Sequence, residues 1–63
     1  MEKFIHTNEI LSKENFQNNR KVVINMRHIV KYNEIEIESL KFTEVLLING
    51  QSIIVYSPID KFI

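Results

Sequence analysis

Residues 43 to 57 read TEVLLINGQSIIVYS, in which two runs rich in aliphatic and β-branched residues flank the pair Asn49-Gly50. Asn-Gly between two such runs is typical of a β-hairpin, because the tight turns that match strand twist need positive φ angles. Asn tolerates such angles and Gly adopts them freely. The stretch therefore predicts a hairpin closed by a two-residue type I′ turn.

A two-residue loop also predicts which residues face one another across the hairpin. Leu46 would lie opposite Ile53 on one face, and Val45 opposite Ile54 on the other. The remaining pairs would be Ile48 with Gln51, Glu44 with Val55, Leu47 with Ser52, and Thr43 with Tyr56. Neither face would then be polar, although one face of a free-standing antiparallel sheet normally contacts water. Either a short helix and a loop cover the second face, or a second copy of the chain does.

Three more strands are predicted before the hairpin. Residues 3 to 9 form the first, 21 to 25 the second, and 29 to about 38 the third, where isoleucines alternate with glutamates as in a half-buried strand. Residues 10 to 20 are mostly polar and predict a long loop, in which Ser12 could cap a helical turn. Leu40 and Lys41 would connect the third strand to the hairpin.

The C-terminal segment after the hairpin predicts a short helix. Ser57 suits the N-cap and Pro58 the first helical position, while Asp60 complements the helix dipole. Ile59, Phe62 and Ile63 share one apolar face at helical spacing. The predicted fold class is mainly β (a small α+β domain): about five antiparallel strands with an Asn-Gly hairpin and a short C-terminal helix, in one domain over residues 1–63.

Size and composition favour self-association. A chain of 63 residues buries only about 60% of its unfolded surface, so a monomeric core is marginal. The chain has no Cys, and His6 and His28 lack metal-ligand spacing, so neither a disulfide nor a metal is expected. Assembly into a homo-oligomer, a dimer or higher, is the remaining way to stabilise such a small core.

Charge and hydropathy exclude other classes of partner. Lys and Arg together number eight, as do Asp and Glu, and zero net charge argues against binding a nucleic acid polymer. No apolar run is long enough for a membrane span, and the stretch from Met1 to Ile5 lacks the apolar region of a signal peptide. We therefore expect a cytoplasmic protein. Ile, Asn, Lys and Glu are abundant, and all four have A/T-rich codons. This favours a bacterial cell, or one infected by a phage.

No catalytic motif or cofactor loop is visible, so neither an enzyme nor a cofactor is expected. The interpretation as a binding protein depends on side chains that could contact a nucleotide-type small molecule. Arg27 offers a planar donor fork for phosphate, His28 can donate or accept, and aromatic rings can stack on a base. The candidate ligand-binding residues are Arg27, His28, Tyr32, Tyr56, Asn25 and Asn8. Each also has a structural interpretation: turn capping for Asn25, core packing for the tyrosines, and solvated positions for the others.

From Val22 onward the chain resembles the FlbD family of very small bacterial proteins. The matching positions are Val23-Ile24-Asn25, Ile29, Thr43, Val45 to Ile48, Asn49-Gly50, Val55 and Ile59 to Ile63. This resemblance covers about two-thirds of the chain, and it implies the predicted hairpin and short amphipathic tail. It also implies a structural or protein-interaction module with no small-molecule ligand.

In size, β content and expected assembly, the chain also looks like small phage proteins that sequester nucleotide immune signals. Those proteins are oligomers that hold their ligand at subunit junctions. The resemblance implies a non-catalytic sponge for a nucleotide-derived signal, with an anti-defence role, and it transfers no binding residue. Our leading hypothesis is this oligomeric binding protein, and the FlbD-like module is the alternative.

Overall fold

The computed structural model describes residues 3–63. Met1 and Glu2 lie outside the described residues, and with them part of the stretch from Met1 to Ile5 in which no signal peptide is predicted. Five strands form one antiparallel sheet: β1 (Phe4–Ile10), β2 (Asn19–Asn25), β3 (Ile29–Ile37), β4 (Leu40–Leu47) and β5 (Ser52–Val55). Two short 3₁₀ helices cover Met26–His28 and Ile59–Phe62. The predicted mainly β fold with five antiparallel strands is confirmed, and the C-terminal helix is a single 3₁₀ turn.

The sheet is strongly coiled, which follows from its connections. Its strand order is β2-β1-β5-β4-β3, so β2 and β3 are the two edges, yet only Met26–His28 joins them. With the observed registers, the end of β2 and the start of β3 would lie about 35 Å apart in a flat sheet. The connecting residues reach at most about 14 Å. The sheet therefore curls into a partly closed barrel with a gap between its edges.

The Asn-Gly hairpin forms as predicted, but its turn is of another type. The Gly50 N–H donates to the Leu47 carbonyl at 2.9 Å, and only Gly50 of the loop has a positive φ, at 88°. The loop is therefore three residues long, a type I turn followed by a left-handed glycine. The Asn49 carboxamide oxygen accepts the Gln51 N–H at 2.8 Å, which stabilises this turn and explains why the type I′ prediction is wrong.

The longer loop moves the register of β4 and β5 by one residue. Val45 lies opposite Ile53, and Thr43 opposite Val55, and all four side chains are buried on the inner face of the barrel. The outer face mixes polar with apolar residues, because Glu44 lies opposite Ile54 and Leu46 opposite Ser52. The predicted pairings, and with them the prediction of two apolar faces, are wrong, since a slip of one residue reverses every side chain of a strand.

A second tight hairpin joins β3 to β4 where a connecting segment was predicted. Leu40 and Lys41 belong to β4, and the turn consists of Glu38 and Ser39, whose φ angles are 51° and 67°. Neither residue is a usual choice for positive φ, which costs about 1–2 kcal/mol per residue. The long β3–β4 ladder and its packing outweigh that cost. The turn was missed because its residue types carry no turn signal.

The core lies on the inner face of the barrel and is closed by the C-terminal turn. Phe62 is 2% exposed, and its ring lies 5.6 Å from the ring of Tyr32. The buried cluster consists of Ile5, Ile24, Val45, Ile53, Val55 and Phe62. Ile63 is 80% exposed, so it does not belong to the predicted apolar face.

Ser57 does not cap the C-terminal 3₁₀ helix. Pro58 occupies the cap position and makes no side-chain capping bond. The Ser57 hydroxyl donates instead to the Thr7 hydroxyl at 2.7 Å, and its carbonyl accepts the Thr43 hydroxyl at 2.8 Å. Because these contacts join the end of β5 to β1 and β4, Ser57 is buried and unavailable as an N-cap.

Residues 11 to 18 form a loop, as predicted, that covers part of the outer face, but Ile10, Asn19 and Arg20, which were predicted to lie in this loop, belong to β1 and β2. The Phe16 ring lies 5.1 Å from the Phe42 ring, which in turn lies 5.5 Å from the ring of Tyr56. The Ser12 hydroxyl accepts the Glu14 N–H in a turn, and the expected helical turn does not form there. This aromatic cluster makes a small second core outside the barrel.

Candidate functional site

A pocket of about 220 Å³ opens at the gap between the barrel edges. Strand β2 forms one wall, and the β4–β5 hairpin with His28 forms the other. The pocket opens to solvent, so a ligand could enter it without rearranging the core. Its lining residues are Glu9, Arg20, Val22, Val23, Ile24, Asn25, His28, Leu47, Gln51 and Ile53.

The 3₁₀ helix Met26–His28 positions the upper rim of this pocket. Asn25 begins it, and its carboxamide oxygen accepts the Arg27 N–H at 2.9 Å, which confirms the predicted turn-capping role of Asn25. The His28 carbonyl accepts the Ile48 N–H at 2.8 Å, so the helix is also joined to the Asn-Gly turn. Asn25 is therefore held by its own capping bond, and His28 by a backbone contact to the Asn-Gly turn.

The floor of the pocket has a charged pair. Glu9 in β1 lies opposite Arg20 in β2, and the Arg20 Nε donates to the Glu9 carboxylate at 3.0 Å. The Glu9 side chain is only 11% exposed, whereas that of Arg20 is 61% exposed. The pair thus presents a partly open guanidinium above a shielded carboxylate. The Arg20 guanidinium can bind an anion through its remaining N–H donors.

An apolar surface lies beside this pair. Val22 and Ile24 from β2 face Ile53 from β5, and the last two are buried. Gln51 adds an exposed carboxamide at the end of the β4–β5 hairpin. The pocket therefore combines an apolar wall with hydrogen-bond donors and acceptors, which is the usual composition of a small-molecule site.

Three predicted site residues lie at or beside the pocket. Asn25 and His28 line it, and Arg27 is exposed between them on the 3₁₀ helix. The prediction of these residues followed from their side-chain chemistry: hydrogen-bonding groups on Arg27 and His28, and turn capping by Asn25. It did not include Glu9, Arg20 or Gln51, since only the β1–β2 register and the hairpin turn bring those residues to the same place.

The other three predicted residues lie elsewhere. Tyr32 packs against Phe62 on the inner face, and Tyr56 joins the outer aromatic cluster, where its hydroxyl donates to the Phe16 carbonyl. Asn8 donates to the Asn19 carboxamide at 2.9 Å. Asn8 also borders a shallow hollow of about 310 Å³ on the outer face of β1 and β2. The six residues therefore do not converge on one site.

Residues 3–63 contain no group of three His, Cys, Asp or Glu side chains placed to hold a metal ion. None of the helical segments over the same residues has the length and apolar character needed to cross a membrane.

Comparison with known proteins returns no relative. No protein-family model matches the chain, and no curated protein or solved structure is significantly similar to it.

Proposed function

We propose that this protein is a non-catalytic, homo-oligomeric binding protein that sequesters a nucleotide-derived small molecule in the pocket beside β2. The observation that supports this proposal is the conjunction of Arg20, His28 and Gln51 with an apolar wall in one open pocket. Sequestration rather than catalysis is favoured, because this pocket is open to water and catalytic groups work best where water is excluded. A phage anti-defence role in a bacterial cytoplasm is part of the same proposal.

The chemistry of the pocket suits the parts of a nucleotide. The wall of Val22 and Ile53 can contact the face of a base, and the Gln51 carboxamide can pair with its edge. Arg20 and His28 supply N–H donors for a phosphate. A volume of about 220 Å³ is below the range of about 300–1,000 Å³ typical of drug-sized ligands. One pocket would therefore hold part of the ligand, and a neighbouring copy would cover the rest.

The test is thermal unfolding with a panel of cyclic mononucleotides, cyclic dinucleotides and ADP-ribose derivatives. A ligand at 100 times its Kd adds about 2.7 kcal/mol to the free energy of unfolding. For a domain of this size, that raises Tm by roughly 11–22 °C. Absence of a shift with every member of the panel would refute the proposal.

Variants then locate the binding site. His28→Ala should weaken binding about tenfold, which corresponds to one charge-assisted hydrogen bond, and Gln51→Ala should change the preference among bases. His6→Ala is the matched control, because His6 is exposed on the outer face of β1 and does not line this pocket. Equal loss of affinity in the two histidine variants would contradict this location.

A second candidate function is a structural or protein-interaction module like the FlbD proteins. It is favoured by an apolar pair on the outer face: Phe4 is 49% exposed, and its diagonal neighbour Val23 is 58% exposed. Affinity capture with the wild-type protein and with a Phe4→Ser, Val23→Ser variant tests it. A partner protein retained only by the wild type would support the module, and a nucleotide shift without such a partner would support the sponge.

A further inference from the structure

We propose that identical copies assemble head to tail, with strand β2 of one copy pairing antiparallel with strand β3 of the next. This inference deepens the proposed self-association and rests on it. It identifies the two surfaces that meet, and it assigns to the next copy one side of the pocket.

Both surfaces are sheet edges. Strands β2 and β3 each have one hydrogen-bonded neighbour in the sheet, β1 and β4 respectively, and they do not pair with each other. An edge strand presents a row of backbone donors and acceptors that can pair with another strand. The seven residues of β2 are about 23 Å long, and β3 is longer, so the two edges can form an extended ladder.

The two edges are complementary in charge. Strand β2 has two exposed cations, Arg20 and Lys21, near its start. Strand β3 and its turn have three exposed carboxylates, Glu34, Glu36 and Glu38, toward the end. Strand β2 contains no acidic residue, so pairing it with its own copy would leave Arg20 and Lys21 without opposite charges, whereas β2 against β3 places them beside carboxylates.

Apolar residues on the same edges determine the orientation. Val23, near the end of β2, is 58% exposed, and Val30, near the start of β3, is 59% exposed. Antiparallel pairing places the basic end of β2 beside the acidic end of β3 and the two exposed valines in the opposite half. Parallel pairing would instead bring Arg20 and Lys21 close to Lys31 of the next copy. The antiparallel arrangement therefore pairs opposite charges in one half of the contact and buries exposed valines in the other half.

Pairing between two different surfaces has consequences for stoichiometry and for the pocket. A head-to-tail contact produces a ring of three or more copies or an open filament, and it does not close at a dimer. Residues 20 and 22 to 25 of β2 also line the pocket, so the next copy's β3 would lie along its rim. The ligand would then be held at a junction between subunits.

Light scattering after size-exclusion chromatography measures the assembly. We expect a mass of at least three times the 7.5 kDa chain. Lys21→Glu and Glu36→Lys should each weaken assembly at least tenfold, and combining both changes in one chain should restore it. Among residues 3–63, neither Lys21 nor Glu36 belongs to an ion pair, but Glu36 lies opposite Lys41 in the β3–β4 ladder, so Glu36→Lys also brings two lysines together within one chain. Circular dichroism must therefore show that both variants remain folded before their masses are compared. Lys13→Glu, in the exposed loop, is the matched charge control.

Crosslinking distinguishes this contact from a symmetric one, because the chain contains no Cys. A variant with both Lys21→Cys and Glu36→Cys should give a ladder of covalent oligomers with a short bismaleimide, and the two single variants should give none. Efficient dimer formation by either single variant, or a dimeric mass, would overturn the head-to-tail contact while leaving self-association intact. A folded monomer at micromolar concentration would overturn both, and a nucleotide-induced rise in its Tm would still support the binding function.

Discussion

Replacing Ser39 by glycine should stabilise the protein, although it removes a side chain. Ser39 has a φ of 67° in the tight turn between β3 and β4, a conformation that costs a non-glycine residue about 1–2 kcal/mol. Glycine avoids this cost but loses about 0.5–1 kcal/mol through its greater freedom in the unfolded chain. The free energy of unfolding should therefore rise by about 0.5–1 kcal/mol, and Tm by roughly 2–8 °C.

Two further substitutions should lower the free energy of unfolding. Gly50→Ala places a Cβ at a φ of 88°, and no atom beyond the residue itself and its two chain neighbours lies within 4 Å of that position, so a clash with the rest of the protein contributes nothing. The backbone conformation alone should lower the free energy of unfolding by about 1 kcal/mol. Ser52→Gly is the matched control for Ser39→Gly, because Ser52 is exposed in β5 and lacks a positive φ. It should destabilise the protein by about 0.5–1 kcal/mol.

Urea or thermal unfolding followed by circular dichroism measures all three variants. The protein concentration must be the same throughout, since the stability of an oligomer depends on it. If Ser39→Gly proves as destabilising as Ser52→Gly, the turn does not impose the strain inferred from its φ angles, and the reasoning is wrong.

Four other substitutions test the packing and the rim of the pocket. Phe62→Ala should lower the free energy of unfolding by about 3–5 kcal/mol. The total for a domain of this size is only about 3–9 kcal/mol, so circular dichroism should show much of the chain unfolded. Ile63→Ala, at an exposed position, is the control and should change stability by less than about 0.5 kcal/mol. Thr43→Val leaves the Ser57 carbonyl without its donor, and urea unfolding should show a loss of about 1–3 kcal/mol. Asn25→Ala removes the cap of the first 3₁₀ helix, so calorimetry should show a loss of about 0.5–2 kcal/mol; an unchanged Tm would contradict the capping role.

Of the ten residues that line the candidate site, the sequence predicted two, Asn25 and His28. Asn25 and His28 could be identified because a turn places neighbouring residues together, and Asx capping is a local property. Arg20 and Gln51 could not be identified in this way. Arg20 meets Glu9 only through the β1–β2 register, and Gln51 reaches the pocket only through the three-residue hairpin turn. Tyr32 and Tyr56 were plausible ligand contacts until the packing of their rings was known.

The sequence by itself determined the strands, because alternation of isoleucine with glutamate and an Asn-Gly pair between aliphatic runs are local signals. Only the tertiary structure decided the register, the Glu38-Ser39 turn and the coiling of the sheet. A one-residue difference in loop length costs little locally, yet it exchanges the faces of a whole strand. The choice is therefore made by packing around Phe62 and Val45, which involves residues far apart in the chain.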